Sequence, residues 1–200
     1  YYIAKVCAKL GIKVGYISTD YVFPGTGSDF QEIGDQTGPL NVYGSSKLAG
    51  EEAIKTLLRK YFIVRTSWVF GKHGKNFVQS MLRLAENHCQ LTVVSDQIGS
   101  PTYTEDLAAL LCDMMQTEKY GVYHATNEGT CSWAEFAKEI FKIAGKHVIV
   151  IPVTSQDYGS KTLRPLNSKL SKHSLDAAGF HRLPTWQDAL QRYLLAPSEL

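Results

Sequence analysis

Nowhere in its 200 residues does the chain hold an unbroken apolar run of about 18 residues, the length a helix needs to span a bilayer. Its amino end also lacks a signal-peptide pattern. No membrane partner is expected, and a cytoplasmic location is the default. An excess of one charge is missing too: 21 Lys and Arg stand against 19 Asp and Glu, a net charge of +2. That gives no basic field for a nucleic acid. Cysteine is sparse, and Cys7, Cys89, Cys112 and Cys131 never form a C-x-x-C pair. This spacing argues against a zinc site and a disulfide framework, so no metal is expected and the thiols read as reduced. The six histidines are dispersed, and His124, inside the strand-like Gly121 to Ala125, reads as structural rather than as a ligand. There is no repeat or low-complexity tract. Finally, no G-x-G-x-x-G or comparable glycine cluster precedes a helix, although a nucleotide-binding sheet opens on such a turn. The chain also starts inside a helix, and the expectation is that it is the carboxy-terminal portion of a longer protein.

What is present is an ordinary globular composition, 44% hydrophobic and 20% charged, enough for one substantial core or one core with a small lobe. Residues 1–10 read as the end of an amphipathic helix, 12–18 as a strand, 44–60 as a helix and Tyr61 to Thr66 as the next strand. A helix follows over Phe77 to Asn87, a short strand over Leu91 to Val94, and a helix from Thr104, capped by its own hydroxyl or by the nearby acidic pair. Further on, Ser132 caps a helix through Ala144 that Gly145 ends, and Val148 to Ile151 reads as a strand before Pro152. Gly159 to Asn167 reads as a loop, with helices expected from Ser168 and from Thr185. The fold class is α/β: the carboxy-terminal part of a Rossmann-type doubly wound parallel sheet plus a smaller α+β substrate-binding lobe. Residues 1–95 are assigned to the sheet and 96–200 mainly to the lobe, with part returning to the sheet.

Two short runs carry the chemistry. Ser18-Thr19-Asp20-Tyr21-Val22-Phe23 places a hydroxyl at a strand end, and Tyr43-Gly44-Ser45-Ser46-Lys47 places a tyrosine and a lysine one helical turn apart. Residues four apart share a helix face, so Tyr43 and Lys47 point into one cleft beside Thr19. The spacing alone proves nothing, because Tyr1 and Lys5 show it as well. Its company does more, since strand ends and helix starts are where open α/β sheets keep their chemistry.

Together with Arg65 to Phe70, Ser95 to Thr102 and the Arg164-Pro165 loop, these runs resemble the dTDP-4-dehydrorhamnose reductases, a family of extended short-chain dehydrogenases. The likeness covers nearly the whole chain, and the departure is the absent amino-terminal glycine-rich part. The resemblance implies reduction of the C4 ketone of dTDP-4-dehydro-L-rhamnose, with NADPH as cofactor and NADH as the other candidate, giving dTDP-L-rhamnose for surface polysaccharide. Tyr43 would donate the proton, and Lys47 would stabilise the phenolate, whose free acid has a pKa of about 10, and grip the nicotinamide ribose. The Thr19 hydroxyl would bond and orient the reacting oxygen.

For substrate, Trp68 is expected at the cleft rim, where an indole stacks on a sugar face or closes over the site, or else in the core. Asp20 and Tyr21 would bond sugar hydroxyls, with packing as the other reading of Tyr21. Arg164 would meet the diphosphate or pair with a surface carboxylate. Asp96, Gln97, Pro101 and Thr102 shape a loop between the lobes, with Gln97 within reach of substrate, and Asn76 is an N-cap first. Some relatives pair through an interfacial metal, for which Glu105 is a candidate against the plainer role of helix-dipole partner, so a homodimer stays open. Two other functions remain in view. One is a nucleotide-sugar epimerase or dehydratase, the latter disfavoured by Tyr21 where those enzymes carry Glu. The other is a non-catalytic subunit similar to the regulatory subunit of methionine adenosyltransferase.

Overall fold

A computed structural model describes residues 1–160 and 162–196. Lys161, within the loop expected at 159–167, lies outside the described residues. In chain order the elements are α1 (Tyr2–Leu10), β1 (Val14–Thr19), a 3-10 turn (Asp20–Val22), α2 (Val42–Leu57), β2 (Tyr61–Thr66), β3 (Val69–Phe70), α3 (Phe77–Leu84), β4 (Gln90–Val94), β5 (Ile98–Gly99) and β6 (Thr102–Tyr103). Then come α4 (Thr104–Met115), β7 (Gly121–His124), β8 (Cys131–Ser132), α5 (Trp133–Ile143), β9 (Ile149–Val153), α6 (Ser155–Tyr158), β10 (Asn167–Ser168), α7 (His173–Ala178) and α8 (Trp186–Leu195). The architecture is α/β, built on parallel strands.

The main sheet has the order β1-β2-β7 and is parallel throughout. Parallel neighbours need a crossover, and α2 supplies it between β1 and β2. Register decides where the chemistry goes: Ser18 lies opposite Arg65 and Thr19 opposite Thr66, so both strands end at one level and their following loops open on the same edge. Such an edge is where α/β sheets bind ligands. Phe62, Val64, Leu107, Leu110, Met114 and Tyr123 pack one face of this sheet under α4, while Ile63 meets Ala4, Ile54 and Leu58 on the other.

A second core gathers around α5, whose Phe136, Ala137, Ile140 and Phe141 meet Val78, Val93, Val150 and Leu190. A capping box starts this helix: the Glu135 amide donates to the Ser132 hydroxyl at 3.1 Å and the Ser132 amide to the Glu135 carboxylate at 2.7 Å. Beneath it β4 and β9 form a parallel pair.

The structure departs from the sequence pattern in three places. The strand expected to stop before Pro152 runs through it, with Pro152 opposite Val93; among the described residues β9 pairs only with β4, and at such an edge a missing N–H costs no ladder bond. Ser168 starts no helix but belongs to β10, paired with Gly99, and the helix begins at His173. Thr104 does not cap α4, because Tyr103 occupies the N-cap without a side-chain bond.

Candidate active site

Asn41 starts the helix that carries the tyrosine and lysine. Its carboxamide oxygen accepts from the Gly44 amide at 2.9 Å, and its nitrogen donates to the Leu163 carbonyl at 3.0 Å. One side chain thus caps α2 and pins the loop bearing Arg164 beside it. Gly44 lets the first turn of α2 sit down on the strand end, since a Cβ there would come within 2.2 Å of the Tyr21 carbonyl oxygen.

A cavity of about 460 Å³ opens at this point, lined by Thr19, Tyr43, Lys47, Trp68, Trp133 and Arg164 together with Asp20 and Tyr21. The seven residues given catalytic or substrate roles in the sequence, Thr19, Asp20, Tyr21, Tyr43, Lys47, Trp68 and Arg164, therefore meet in one place. Tyr43 is 55% exposed, with its ring edge-on to Tyr21 at 5.8 Å. The Lys47 ammonium lies over the Tyr16 ring at 4.2 Å from its centre and makes no ion pair among the described residues. Burial pushes it below the usual lysine range, and Glu51 one turn on pulls it back up.

Thr19 and Asp20 are both buried. The Thr19 hydroxyl donates to the Asp20 carboxylate at 2.9 Å and accepts from the Tyr21 amide at 3.2 Å. Burial pushes the Asp20 carboxyl up to about 6, against the opposing pull of the Ser168 and Thr19 hydroxyls. Trp68 is half-buried, with its backbone in the left-handed region at φ 50°, a conformation that a bulky residue adopts only when its surroundings impose it. Arg164 is exposed and makes no ion pair among the described residues.

A second cavity of about 320 Å³ adjoins the first, lined by Phe77, Met81, Val93, Gln97, Trp133 and Arg164. Trp133 and Arg164 face both cavities. Trp133 went unnoticed in the sequence, although its place directly after the Ser132 cap puts it at the first residue of α5. Asn76 is the N-cap of α3, accepting from the Gln79 amide at 3.0 Å. Asp96 ties down α6 by accepting from the Ser155 amide and hydroxyl. Glu105, in the first turn of α4, lies 3.6 Å from Lys72, and no group of three or more metal-ligating side chains occurs among the described residues. Among these residues no helix is long and apolar enough to cross a membrane.

Comparison with known proteins is consistent along the chain. It is 45% identical to the spore coat polysaccharide biosynthesis protein SpsK of Bacillus subtilis, over 97% of this chain and 68% of that protein. It is 38% identical to dTDP-4-dehydrorhamnose reductase of Escherichia coli K12, over 96% of this chain and 68% of that one. The crystal structure of dTDP-4-dehydrorhamnose reductase from Bacillus anthracis in complex with NADP superposes with a TM-score of 0.95 at 44% identity, covering 98% of this chain and 69% of that chain. Residues 1–198 match the RmlD substrate binding domain, and the chain belongs to that family.

Proposed function

We propose that this chain carries the reacting groups of an NADPH-dependent reductase that converts the C4 ketone of dTDP-4-dehydro-L-rhamnose to the alcohol of dTDP-L-rhamnose, for surface polysaccharide. The observation that carries this reading is the single cavity in which Thr19, Tyr43 and Lys47 converge with Trp68 and Arg164. In this reading residues 1–95 carry the proton-transfer groups, and 96–200 form mainly the substrate-binding lobe that brings Trp133 and Arg164 to the cavity, with β7 returning to the sheet.

The residues present fit a nicotinamide nucleotide. The Lys47 ammonium, unpaired among the described residues and partly exposed above Tyr16, has donors free for ribose hydroxyls, and Tyr43 is open to the cavity. When bound, the reduced nicotinamide supplies the hydride for C4. The chain's own part is the proton. The Tyr43 hydroxyl gives its proton to the oxygen of the former ketone, and the Lys47 ammonium stabilises the negative charge left on the tyrosine until solvent restores the proton. Thr19 has one hydroxyl proton, which in the resting structure goes to Asp20. To hold the ketone oxygen it has to turn that proton toward the substrate. Arg164 meets the diphosphate as a planar donor fork, and the apolar second cavity, walled by Phe77, Val93 and Trp133, takes the flat base.

Dehydration is less well served. It needs a carboxyl acid and base beside the sugar, yet Tyr21 follows Asp20, and Asp20 is buried against Thr19.

The test is NADPH oxidation by the full-length protein supplied with dTDP-4-dehydro-L-rhamnose, in the parent and in Tyr43→Phe. Substrate-dependent oxidation lost in the variant supports the reading. Bound NADPH without oxidation in the parent rejects it in favour of an epimerase or a regulatory subunit.

A further inference from the structure

Gln97 is 6% exposed, and both ends of its amide are engaged. The assignment of those ends follows from counting protons. The Asp96 carboxylate accepts the Ser155 amide at 2.9 Å and the Ser155 hydroxyl at 2.6 Å, so the one proton of that hydroxyl is committed to Asp96. The Ser155 oxygen is then an acceptor, and it receives the Gln97 Nε2 at 2.9 Å. That leaves the Gln97 Oε1 pointing the other way, where it accepts the indole N–H of Trp133 at 3.1 Å. An indole nitrogen only donates, so no other orientation of the amide satisfies all three groups.

The held indole lies flat against Trp68, with ring centres 3.7 Å apart and planes 13° apart. Trp133 is also flanked by Phe77, with ring centres 4.6 Å apart and planes tilted by 50°. The Trp68 ring in turn rests where Gly99 has no side chain, since a Cβ on Gly99 would fall 2.8 Å from the Trp68 Cε2. Both cavities of the site are lined by Trp133.

We infer that Gln97 is a positioning residue which, braced by Ser155 and Asp96, fixes the Trp133 and Trp68 stack as the wall between the sugar cavity and the base cavity. This rests on the proposed substrate class, a nucleoside diphosphate sugar bridging the two cavities past Arg164. The wall sets the separation at which a base and a sugar are held on either side of it. Gln97 lines the base cavity, but both ends of its amide are engaged by Ser155 and Trp133, and its effect on the substrate passes through the indole. Direct substrate contact belongs to Trp133.

Gln97→Met keeps the volume and removes both hydrogen bonds, and Ser155→Ala removes only the brace. The experiment is made on the full-length protein, with three readouts. Circular dichroism reports the exciton couplet of the stacked indoles, calorimetry with dTDP alone reports the base cavity, and steady-state kinetics separate KM from kcat. Gln97→Met is expected to diminish the couplet, to weaken dTDP and raise KM for the sugar nucleotide roughly tenfold, as loss of a bond to a buried partner does, and to leave KM for NADPH unchanged. Ser155→Ala shifts the same quantities in the same direction by less. Because the route runs through the indole N–H, Gln97→Met adds nothing in a Trp133→Phe background.

An unchanged couplet and unchanged dTDP affinity in both variants overturns the inference, as does full additivity with Trp133→Phe. If Gln97→Met does not fold, the Ser155→Ala result decides. The couplet and the dTDP affinity need no turnover, so a parent that fails to oxidise NADPH rejects the proposed reaction without touching this result.

Discussion

Arg65 and Glu51 form a two-point ion pair withdrawn from solvent, Nε to Oε1 at 3.0 Å and Nη2 to Oε2 at 2.7 Å. The Ser18 hydroxyl donates to the same Oε1 at 2.5 Å. Glu51 sits on α2 one turn beyond Lys47, Ser18 precedes Thr19 on β1, and Arg65 precedes Thr66 on β2. The pair therefore bolts the helix with the proton donor to the two strand ends it serves. Burial pushes the Glu51 carboxyl up, but the Arg65 and Ser18 bonds together outweigh it and hold the group below the usual glutamate range.

Removing either partner strands a buried charge. Arg65→Met and Glu51→Gln are each expected to lower unfolding stability by about 3–5 kcal/mol, read from urea denaturation of the full-length protein. The double variant is expected to regain part of that loss, because two apolar or neutral groups leave no unpaired ion. A double variant as unstable as the sum of the singles would show that the groups do not act as a pair.

Lys47→Met should separate two roles of the ammonium. The side chain is only partly buried and makes no ion pair among the described residues, so its loss should leave the urea midpoint within about 0.5 kcal/mol of the parent. NADPH affinity, measured by fluorescence titration, should fall together with kcat. Weakened binding with unchanged kcat would remove the charge-stabilising role and leave only the grip on ribose.

Arg164→Met is expected to raise KM for the sugar nucleotide about tenfold or more while KM for NADPH stays put, because a charged donor bonded to phosphate is worth about 1.5–3 kcal/mol. Arg164→Lys should recover only part, since an ammonium cannot reproduce the fork. Equal effects on both KM values would place Arg164 outside the substrate cavity.

Much of this arrangement is legible in the sequence because it is local. A strand end and a spacing of four fix Thr19, Tyr43 and Lys47 without reference to the rest of the chain. The caps at Asn76, Ser132 and Thr185 are equally local, each bonding an amide three residues on. What stays hidden is set at long range. The wall partner of Trp68 is Trp133, on a helix brought there by packing of α5 between α3 and β4, and no spacing encodes it. Ser168 looks like a helix start until Ile98 and Gly99 claim it as a strand. The engagement of Gln97 depends on Ser155 and Trp133 from separate elements, which is why its amide reads from sequence as a possible substrate contact.

Asp20 supplies the pH dependence that can be worked out with a sign. Its folded value, about 6, lies above its ordinary 3.8 because burial disfavours the carboxylate. A raised carboxyl favours the fold when protonated, so its contribution is fully present below about pH 4 and is lost as pH rises through about 6. A displacement of about two pKa units corresponds to roughly 3 kcal/mol. Asp20→Asn does not titrate and still offers an oxygen to the Thr19 hydroxyl. Relative to the parent, the variant should therefore be more stable by on the order of 2–3 kcal/mol at pH 8, and the difference should shrink toward zero near pH 4. Urea denaturation of both proteins at the two pH values measures it. A difference that does not change with pH would mean that Asp20 is ionised in the fold at no cost.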